Sequence, residues 1–399
     1  MLIRFPEDAL ELNAEIPVNL WDPKGVLLLR KGELIQDKRH REHLLMHTPM
    51  VDDEEYRSWT YRYTMQLDRM VRNNQSLSKI ASVSRPMGVA DAVASEERAS
   101  VPAWSDLQAT LTTLLHQNLS AHDFVSRLIV LEQRMGRLLQ SRVDDSLFVL
   151  VQLLFDRSVN YGATHALLCS VACHLVGPLA GVPSAEQPSL CRAALTMNIG
   201  MARLHDALSR HEGALTAEQS HAIRNHPTVG ANLLRRLGVG DALWLQLVED
   251  HHEAIDGQGY PAGKMELGIA AQLLRLVDVF VARISPRSDR PGLLPQVAAR
   301  NIYLGPDGQP SALGGAFVKT MGLYIPGSYV RLANGEVAVV VRRGRRANTP
   351  LVFVIIRQGM PLGEPVLRDT QERGFEVKCS EPADDVKVRL NAEKLLGRL

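Results

Sequence analysis

Two adjacent histidines, His251 and His252, open the stretch HHEAIDGQGYPAG, which covers residues 251–263 and contains a glycine-rich turn closed by Tyr260 and Pro261. Neutral imidazoles bind divalent cations of borderline softness, and a carboxylate can bridge two such cations. A bridged pair of metal ions converts bound water to hydroxide near neutral pH and neutralises charge on the oxygens of a phosphodiester. The stretch is therefore a candidate for metal-dependent phosphodiester hydrolysis, if other segments supply the remaining ligands.

Three further residues have suitable side chains: His165, His226 and Asp278. Each has an ordinary alternative, because a single helical histidine is most often a core or surface residue, and an aspartate often caps a helix or pairs with an arginine. His251 and His252 cannot lie on one line of an ideal helix, although two neighbouring imidazoles can converge on one site at a helix end. Spacing alone leaves metal binding and structural roles equally open.

The elements that would position these residues have a helical pattern. Apolar residues recur at helical spacing in VSRLIVLEQRMGRLLQ and SLFVLVQLLFDRSV, within a region that is nearly all helical in pattern. A Ser-, Ala- and charge-rich segment that cannot bury a core precedes this region, and a hairpin signal at Asn334–Gly335 follows it. We predict an N-terminal module with a β-hairpin over 1–75, a linker over 76–104, a helical domain over 105–320 and a β-rich C-terminal extension over 321–399.

Composition limits the classes of function. Hydrophobic residues make up 45% of the 399 residues and charged residues 22%, which are ordinary globular values, and the formal net charge of +1 provides no field to attract nucleic acid or an anionic membrane. The first residues lack the basic patch and apolar run of a secretory signal, and no segment has the roughly 18 uninterrupted apolar residues of a membrane span. We expect a cytoplasmic protein without a nucleic-acid or membrane partner.

The four cysteines show no CxxC pairing, which argues against a zinc ribbon or a redox motif. Cys169 and Cys173 are four residues apart in the helical pattern LLCSVACHLV, so they share one helix face. We interpret both as core thiols rather than metal ligands.

The run HHEAIDGQGYP at 251–261 matches the HHExxDGxGYP signature of HD-GYP domains. The sequence thus resembles a family of bacterial phosphodiesterases that hydrolyse cyclic di-GMP with two or three metal ions, commonly iron or manganese. The resemblance extends over about 150–300, through LTAEQSHAIRNHPTVG and RLVDVFVARIS. It implies a mainly α fold, an all-helical HD-type phosphohydrolase bundle, with small β-containing modules at the N- and C-terminal ends.

The resemblance also implies roles for individual residues. His165 matches the family's first ligand histidine, and Asp278 matches its last ligand aspartate. His226, His251 and His252 match the other metal-binding histidines. The implied contacts to the phosphates and the rest of the ligand are Arg287, Arg290, Tyr260 and Gly259.

The chain departs from the family at the segment that gives the HD domain its name. Where the family has a sequence resembling AALLHDIGK, this chain has AALTMNIGM, so Met197, Asn198 and Met201 replace a histidine, an aspartate and a lysine. Asn198 is neutral and offers one carbonyl oxygen, so it cannot bridge two cations. Tyr161 replaces a glutamate that some three-metal members use. We interpret the dipeptide at 205–206, His-Asp, as an unrelated surface pair because it lies eight residues beyond Met197.

These departures divide the two metal positions that the resemblance implies. One position retains only His165 and Asp278, and we expect it to be empty or very weak. The other retains the three imidazoles of His226, His251 and His252, which could hold one divalent iron, manganese or zinc ion. The sequence thus predicts one metal ion at a half-site, or none.

Three classes of function follow. The first is a catalytically impaired receptor for cyclic di-GMP, or a regulator that docks a diguanylate cyclase (GGDEF) domain through the loop around Tyr260, here called the GYP loop. The second is an active phosphodiesterase that uses one metal ion or substitute ligands such as His205 or His221. The third, a nucleic-acid-binding or structural protein, draws only on the aromatic run at 56–63 and on RRGRR at 342–346, which we interpret as packing and as a solvated hairpin tip. A homodimer formed through the helices after residue 105 is a further prediction.

Overall fold

A computed structural model describes residues 2–5, 10, 12, 15–52, 55, 56, 59, 100–121, 123–288, 290–304 and 308–399. The chain divides into two compact units, Met1–Arg98 and Ala99–Leu399.

The described part of the first unit contains a small antiparallel sheet and one helix. Its elements are β1 (Leu2–Arg4), β2 (Leu20–Trp21), β3 (Leu27–Leu29), helix α1 (Lys38–Met46) and β4 (Met50–Asp52), with the sheet order β1-β4-β2-β3. Asp22 organises the turn between β2 and β3, because its Oδ1 accepts hydrogen bonds from the backbone N–H groups of Lys24 and Val26, both at 2.8 Å. Gly25 completes this turn with φ +82°, a backbone conformation that glycine adopts without strain.

Part of the aromatic run packs inside this first unit. Trp59 is buried, its ring centroid lies 5.8 Å from that of Phe5, and Tyr56 contacts Phe5 edge to face at 6.3 Å. The packing interpretation is therefore confirmed for Tyr56 and Trp59. Tyr61 and Tyr63 lie outside the described residues.

The second unit is mainly helical. Its α-helices are α2 (Ser100–Gln117), α3 (Phe124–Ser141), α4 (Val143–Phe155), α5 (Tyr161–Ala180), α6 (Gln187–Thr196), α7 (Ala202–Ser209), α8 (Ala217–Arg236), α9 (Ala242–Asp250), α10 (Ile269–Ile284), α11 (Pro295–Tyr303), α12 (Ala312–Met321) and α13 (Ala392–Leu396). The described part of the first of these helices, Ser100–Gln117, overlaps the end of the predicted linker.

Helix α5 lies at the centre of this unit. It has the length and composition of a membrane span, with a mean hydropathy of 1.4 over its most apolar window, but 72% of that window is buried inside the protein. The helix packs against α6, α10 and α12. Its apolar character is therefore that of a core helix, and Cys169 and Cys173 are buried in it as predicted.

The C-terminal part of this unit is a five-stranded antiparallel sheet. Its strands are β5 (Tyr329–Leu332), β6 (Val337–Arg342), β7 (Leu351–Arg357), β8 (Met360–Asp369) and β9 (Val377–Glu381), in the order β8-β7-β6-β5-β9. Strands β5 and β6 pair across Asn334–Gly335. The mainly α fold with small antiparallel sheets near both ends confirms the predicted fold class.

The basic run at 342–346 has two different environments. Arg342 forms an ion pair with the buried Asp145, and Arg343 forms one with Asp144, so both arginines tie the sheet to the first turn of α4. Arg345 and Arg346 are exposed. The interpretation as a solvated tip therefore holds only for the last two arginines and is wrong for the first two, whose partners lie far away in the sequence.

A close backbone contact fixes the segment after α6 against α8. Gly200 lies in a single 3-10 turn, Ile199–Met201, and a Cβ atom at this position would overlap the carbonyl oxygen of His226 and lie 2.7 Å from the backbone nitrogen of Gly230. Only glycine allows this approach. The contact places the Met197–Asn198 segment beside the helix that carries His226.

We predict that Gly200→Ala lowers the free energy of unfolding by about 1–3 kcal/mol, because the new methyl group meets backbone atoms that cannot rotate away. Gly136→Ala is the matched control: this glycine lies inside α3 with no atom within 4 Å of the added Cβ, so the change should stabilise the helix by about 0.5–1 kcal/mol. Chemical denaturation followed by circular dichroism measures both changes. Equal effects of the two substitutions would contradict the close contact at Gly200.

Candidate metal centre

Three imidazoles converge where α8, α9 and the GYP loop meet. His226 lies in the middle of α8, a helix that starts with a capping box between Thr216 and Gln219. His251 is the C-cap residue of α9, and His252 follows it. One ligand nitrogen from each histidine lies within 4.8 Å of the other two. The convergence of two adjacent histidines at a helix end, which the sequence left open, is therefore observed.

Backbone carbonyls fix the protonation of two of these rings. His226 Nδ1–H donates to the carbonyl of Ile223 at 2.6 Å, and His251 Nδ1–H donates to the carbonyl of Val248 at 2.7 Å. Ile223 stands four residues before Pro227, which has no N–H to donate, so its carbonyl has no helical partner from that position. Val248 lies in the last turn of its helix, where carbonyls also lack helical partners.

This arrangement leaves two unprotonated nitrogens facing each other. Because each Nδ1 acts as a donor, both Nε2 atoms carry lone pairs. The Nε2 atoms of His226 and His251 lie 3.0 Å apart in the protein interior. Two acceptors at this distance need a cation between them. A histidine that binds a metal ion typically donates the N–H of its other ring nitrogen to a fixed partner, as Nδ1 does here. The residues present therefore fit a divalent metal ion.

The electrostatic environment keeps these rings neutral. Burial, reinforced by neighbouring imidazoles, lowers the pKa of His226 to about 4 and that of His251 well below its usual value. Burial also lowers the pKa of the half-buried His252. Neutral imidazoles are the form that binds metal, so all three side chains are available as ligands at neutral pH.

His165 and Asp278, the two residues that remain of the other predicted metal position, hydrogen-bond to each other. His165 Nε2–H donates to Asp278 Oδ1 at 2.9 Å, and Tyr161 OH donates to His165 Nδ1 at 3.0 Å. Burial favours a raised pKa for Asp278, but the hydrogen bond and the positive potential at His165 outweigh it, so the pKa lies well below its usual range. The other carboxylate oxygen of Asp278 lies 3.9 Å from His252 Nδ1. The carboxylate of Asp278 therefore lies between His165 on one side and His252 of the three-histidine group on the other.

Met197 and Asn198 are both buried, directly before the 3-10 turn that packs against α8. Within the described ranges, the group of mutually close ligand atoms at the three histidines contains no carboxylate. Met201 is half-buried at the end of the same turn. The segment with Met197 and Asn198 therefore lies beside the helix that carries His226 without contributing an anion to the three histidines.

His205 and Asp206 were predicted to be a surface pair, and this interpretation is wrong. Each is 7% exposed, because α7 packs against α5. Asp206 accepts the backbone N–H of Gly162 at 2.7 Å and pairs with His116 Nε2 at 2.8 Å. The ring of His205 contacts that of Tyr161 edge to face, and the His205 and His165 ring centroids are 5.5 Å apart.

Sequence reasoning missed this pair because the buried residues of α7 are the polar ones, so apolar periodicity gives no signal. His205 Nδ1 is buried and has no hydrogen-bond partner among the described residues. His221, the other suggested substitute ligand, is exposed on α8 and contacts Asn225 instead.

The two predicted phosphate-binding arginines have different environments. The guanidinium of Arg287 lies 5.3 Å from the ring centroid of Tyr161 and donates a long hydrogen bond of 3.4 Å to its hydroxyl. Its buried Nε has no partner in the part of the chain that the structure describes. Arg290 instead donates to the carbonyl of Ala282 at 2.9 Å. Arg287 therefore lies against Tyr161, the residue that also contacts His165, whereas Arg290 is committed to the backbone.

The GYP loop is built around a buried carboxylate. Glu253 is fully buried, and its two oxygens accept the backbone N–H groups of Ala262 at 2.6 Å and Lys264 at 2.9 Å. Gly259 lies so close to the backbone of Glu253 that a Cβ atom would be 2.5 Å from its Cα. Tyr260 stacks on His252 with a centroid distance of 4.6 Å. The loop thereby holds an aromatic ring against the histidine group.

Residues 149–304 match the model of the HD domain family. The chain is 32% identical over 180 residues to a cyclic di-GMP phosphodiesterase of Pseudomonas aeruginosa, an alignment that covers 44% of each protein. It is 27% identical over 210 residues to the cyclic di-GMP phosphodiesterase response regulator RpfG of Xanthomonas campestris, covering 50% of this chain and 54% of that protein. The aligned part thus spans about half the length of these relatives.

A solved structure, that of Bd1817, an HDG"Y"P protein from Bdellovibrio bacteriovorus, aligns with a TM-score of 0.44 and 14% sequence identity, covering 79% of this chain and 97% of that one. The HD domain match at 149–304, the similarity to the two phosphodiesterases and the HHExxDGxGYP motif at 251–261 support membership of this part of the chain in the HD-GYP family.

Proposed function

We propose that this chain is a catalytically impaired HD-GYP protein that acts in cyclic di-GMP signalling, either as a receptor for the dinucleotide or as a regulator that docks a partner protein. One observation carries the proposal: the group of His226, His251 and His252 contains no carboxylate among the described residues. By resemblance, Asn198 stands where the family has its bridging aspartate, and a neutral amide offers a single carbonyl oxygen. Without a bridge, two cations are not held together, and their shared water is not activated.

The three histidines would hold one divalent ion, either iron, manganese or zinc. Three imidazoles with an open position form a common mononuclear metal site, and an ion held there attracts a phosphate oxygen of the ligand. Two observations support an ion at this position. The Nε2 atoms of His226 and His251 lie 3.0 Å apart, and the lowered pKa values of both residues keep their rings neutral. One ion at this position provides binding without the two-metal clamp of hydrolysis.

Arg287 is the main candidate for binding the phosphates of cyclic di-GMP. A guanidinium presents a planar fork of donors that suits phosphate oxygens, and the buried Nε of Arg287 has no partner among the described residues. Arg290 contributes less directly: its backbone carbonyl accepts from the N–H of Arg287 at 2.9 Å, so it stabilises the turn that presents this guanidinium. Tyr260 and Gly259 are the proposed contacts on the histidine side of the site.

The GYP loop supports the docking version of the proposal. Ile255 and Met265 on this loop are 60% and 64% exposed, so two large apolar side chains of the loop are accessible to a partner. The buried Glu253 fixes the loop backbone independently of any catalytic group. A diguanylate cyclase (GGDEF) domain is the proposed partner. Cytoplasmic location in a bacterium and a homodimer through α2 and α3 complete the proposal.

The alternative is an active cyclic di-GMP phosphodiesterase that produces the linear dinucleotide or GMP. Two observations favour it: the three histidines retain a metal-binding arrangement, and His205 lies beside Tyr161 and His165 with an unpartnered Nδ1 among the described residues. In this alternative, the single ion and His205 together replace the missing HD pair.

Hydrolysis distinguishes the two proposals. Cyclic di-GMP is incubated with the full chain, anaerobically with ferrous iron and separately with manganese, and products are separated by chromatography. The natural protein should yield no linear dinucleotide or GMP, whereas the triple variant Met197→His, Asn198→Asp, Met201→Lys should yield both. Met201→Lys alone is the control, because it adds the cation without the bridging carboxylate and should stay inactive. Turnover by the natural protein would favour the alternative.

Manganese binding tests the metal position. We expect about one equivalent of Mn²⁺ per chain, and His251→Ala should weaken binding by about 100-fold or more, because even the hydrogen-bond partners of metal ligands contribute about 10–100-fold. His221→Ala changes an exposed histidine on α8 and should leave the affinity unchanged. Equilibrium dialysis with metal analysis measures all three proteins. Equal binding by the two variants would show that the ion lies elsewhere.

Calorimetric titration with cyclic di-GMP tests the receptor version. Arg287→Ala should weaken binding about 10–100-fold, because a hydrogen bond to a charged group contributes roughly 1.5–3 kcal/mol. Arg283→Ala removes an exposed arginine from the same region and should have little effect. If the natural protein shows no affinity for cyclic di-GMP, the receptor version is excluded and docking of a protein partner is the version that stands.

A further inference from the structure

A second group of potential ligands lies on the other side of Asp278 from the three histidines. His165, Cys169 and Asp278 each offer a ligand atom within 4.8 Å of the other two, and all three residues are buried. Cys169 Sγ is 3.4 Å from His165 Nε2, which in turn is 2.9 Å from Asp278 Oδ1. One nitrogen, one sulfur and one carboxylate oxygen are thus close enough to bind the same metal ion.

Two helices hold this group together. His165 and Cys169 are four residues apart on α5, so they share one face, and α10, which carries Asp278, packs directly against that helix. Tyr161, one turn before His165, contacts the Nδ1 of its ring at 3.0 Å and so directs Nε2 towards the sulfur and the carboxylate. An external partner on the second nitrogen is the usual arrangement of a metal-ligating histidine.

We propose that His165, Cys169 and Asp278 form a second metal site with a mixed nitrogen, sulfur and oxygen donor set, which binds zinc or cobalt in preference to manganese. Zinc accepts all three kinds of donor, with a shell of four ligands that leaves one position for water. Thiolate is a soft ligand that favours zinc over manganese. The site goes beyond the single ion of the proposed function and does not depend on it.

Binding requires a defined proton movement. The Cys169 thiol loses its proton to solvent as the sulfur–metal bond forms. The imidazole changes tautomer: the proton leaves Nε2, which binds the ion, and Nδ1 gains one and donates it to the oxygen of Tyr161. Asp278 already carries its negative charge and needs no proton change. The net result is one proton released per ion.

In this proposal, the Cys169 thiol takes the place of a metal ligand that the segment at 197–198 supplies in the family. With Met197 and Asn198 in place of a histidine and an aspartate, this half of the site has only His165 and Asp278 of the family's ligands. The thiol adds a third donor from inside α5. Cys173, one turn further along the same helix, is equally buried but is not part of the group, which makes it a matched control.

The test is an anaerobic Co²⁺ titration of the full chain after removal of metals with a chelator. A cobalt–thiolate bond gives a charge-transfer absorption in the near ultraviolet. The natural protein and Cys173→Ser should develop this band and bind two equivalents of Co²⁺, whereas Cys169→Ser should lack the band and bind one. Circular dichroism verifies that both variants are folded.

His226→Ala separates this site from the proposed function, because it should lose the other equivalent and keep the charge-transfer band. The proposal is overturned if the folded natural protein binds Co²⁺ without the band, or if Cys169→Ser retains it. A Mn²⁺ titration of the natural protein that reaches two equivalents would also contradict the predicted preference for softer ions.

Discussion

The constraint on which the site depends is the pair of unprotonated nitrogens of His226 and His251, held 3.0 Å apart in the interior. Neither can obtain a proton cheaply, because burial opposes charging of the rings and each Nδ1–H is already committed to a carbonyl. The carbonyl of Ile223 can accept the N–H of His226 because Pro227 has no N–H to donate to it. The two helices thus present the lone pairs of His226 Nε2 and His251 Nε2 to one point, where a divalent cation could bind both.

Asp278 sets how much positive charge this region can hold. It is the only carboxylate in the two groups of mutually close ligand atoms that the described residues form. A two-metal centre normally balances its cations with several anionic ligands, and the side chain of Asn198 is neutral. Under the proposed function, a single divalent ion on the three neutral imidazoles would keep its positive charge, which suits an anionic phosphodiester as a ligand.

Much of this arrangement could be predicted from the sequence. The long motif at 251–261 identified the histidine pair, the family resemblance identified the segments that carry His226 and Asp278, and apolar periodicity identified helices that precede them. The Ile223–Pro227 relation was also readable, because a proline always leaves the carbonyl four residues earlier without its helical partner. Local rules of this kind act within one or two helical turns, where sequence spacing determines spatial proximity.

The errors arose where distant segments meet. Nothing near Arg342 in the sequence indicates that Asp145 will neutralise it, since 197 residues separate them. The buried residues of α7 are polar and contact Tyr161 and His116, which are distant in the sequence, so His205 had the appearance of a surface residue. Cys169 was correctly expected in the core, but burial alone does not say that a neighbouring imidazole and carboxylate share its position.

The backbone of the GYP loop is stabilised independently of the segment at 197–198. It is held by Glu253, whose two carboxylate oxygens accept N–H groups of the loop itself. Neither Asn198 nor Met197 takes part in these bonds, so the loop conformation does not depend on the residue types at those two positions. Exposed apolar side chains such as Ile255 are therefore presented by a scaffold that does not depend on catalysis. Under the proposed function, this separate stabilisation would let the loop bind a partner protein without hydrolysis.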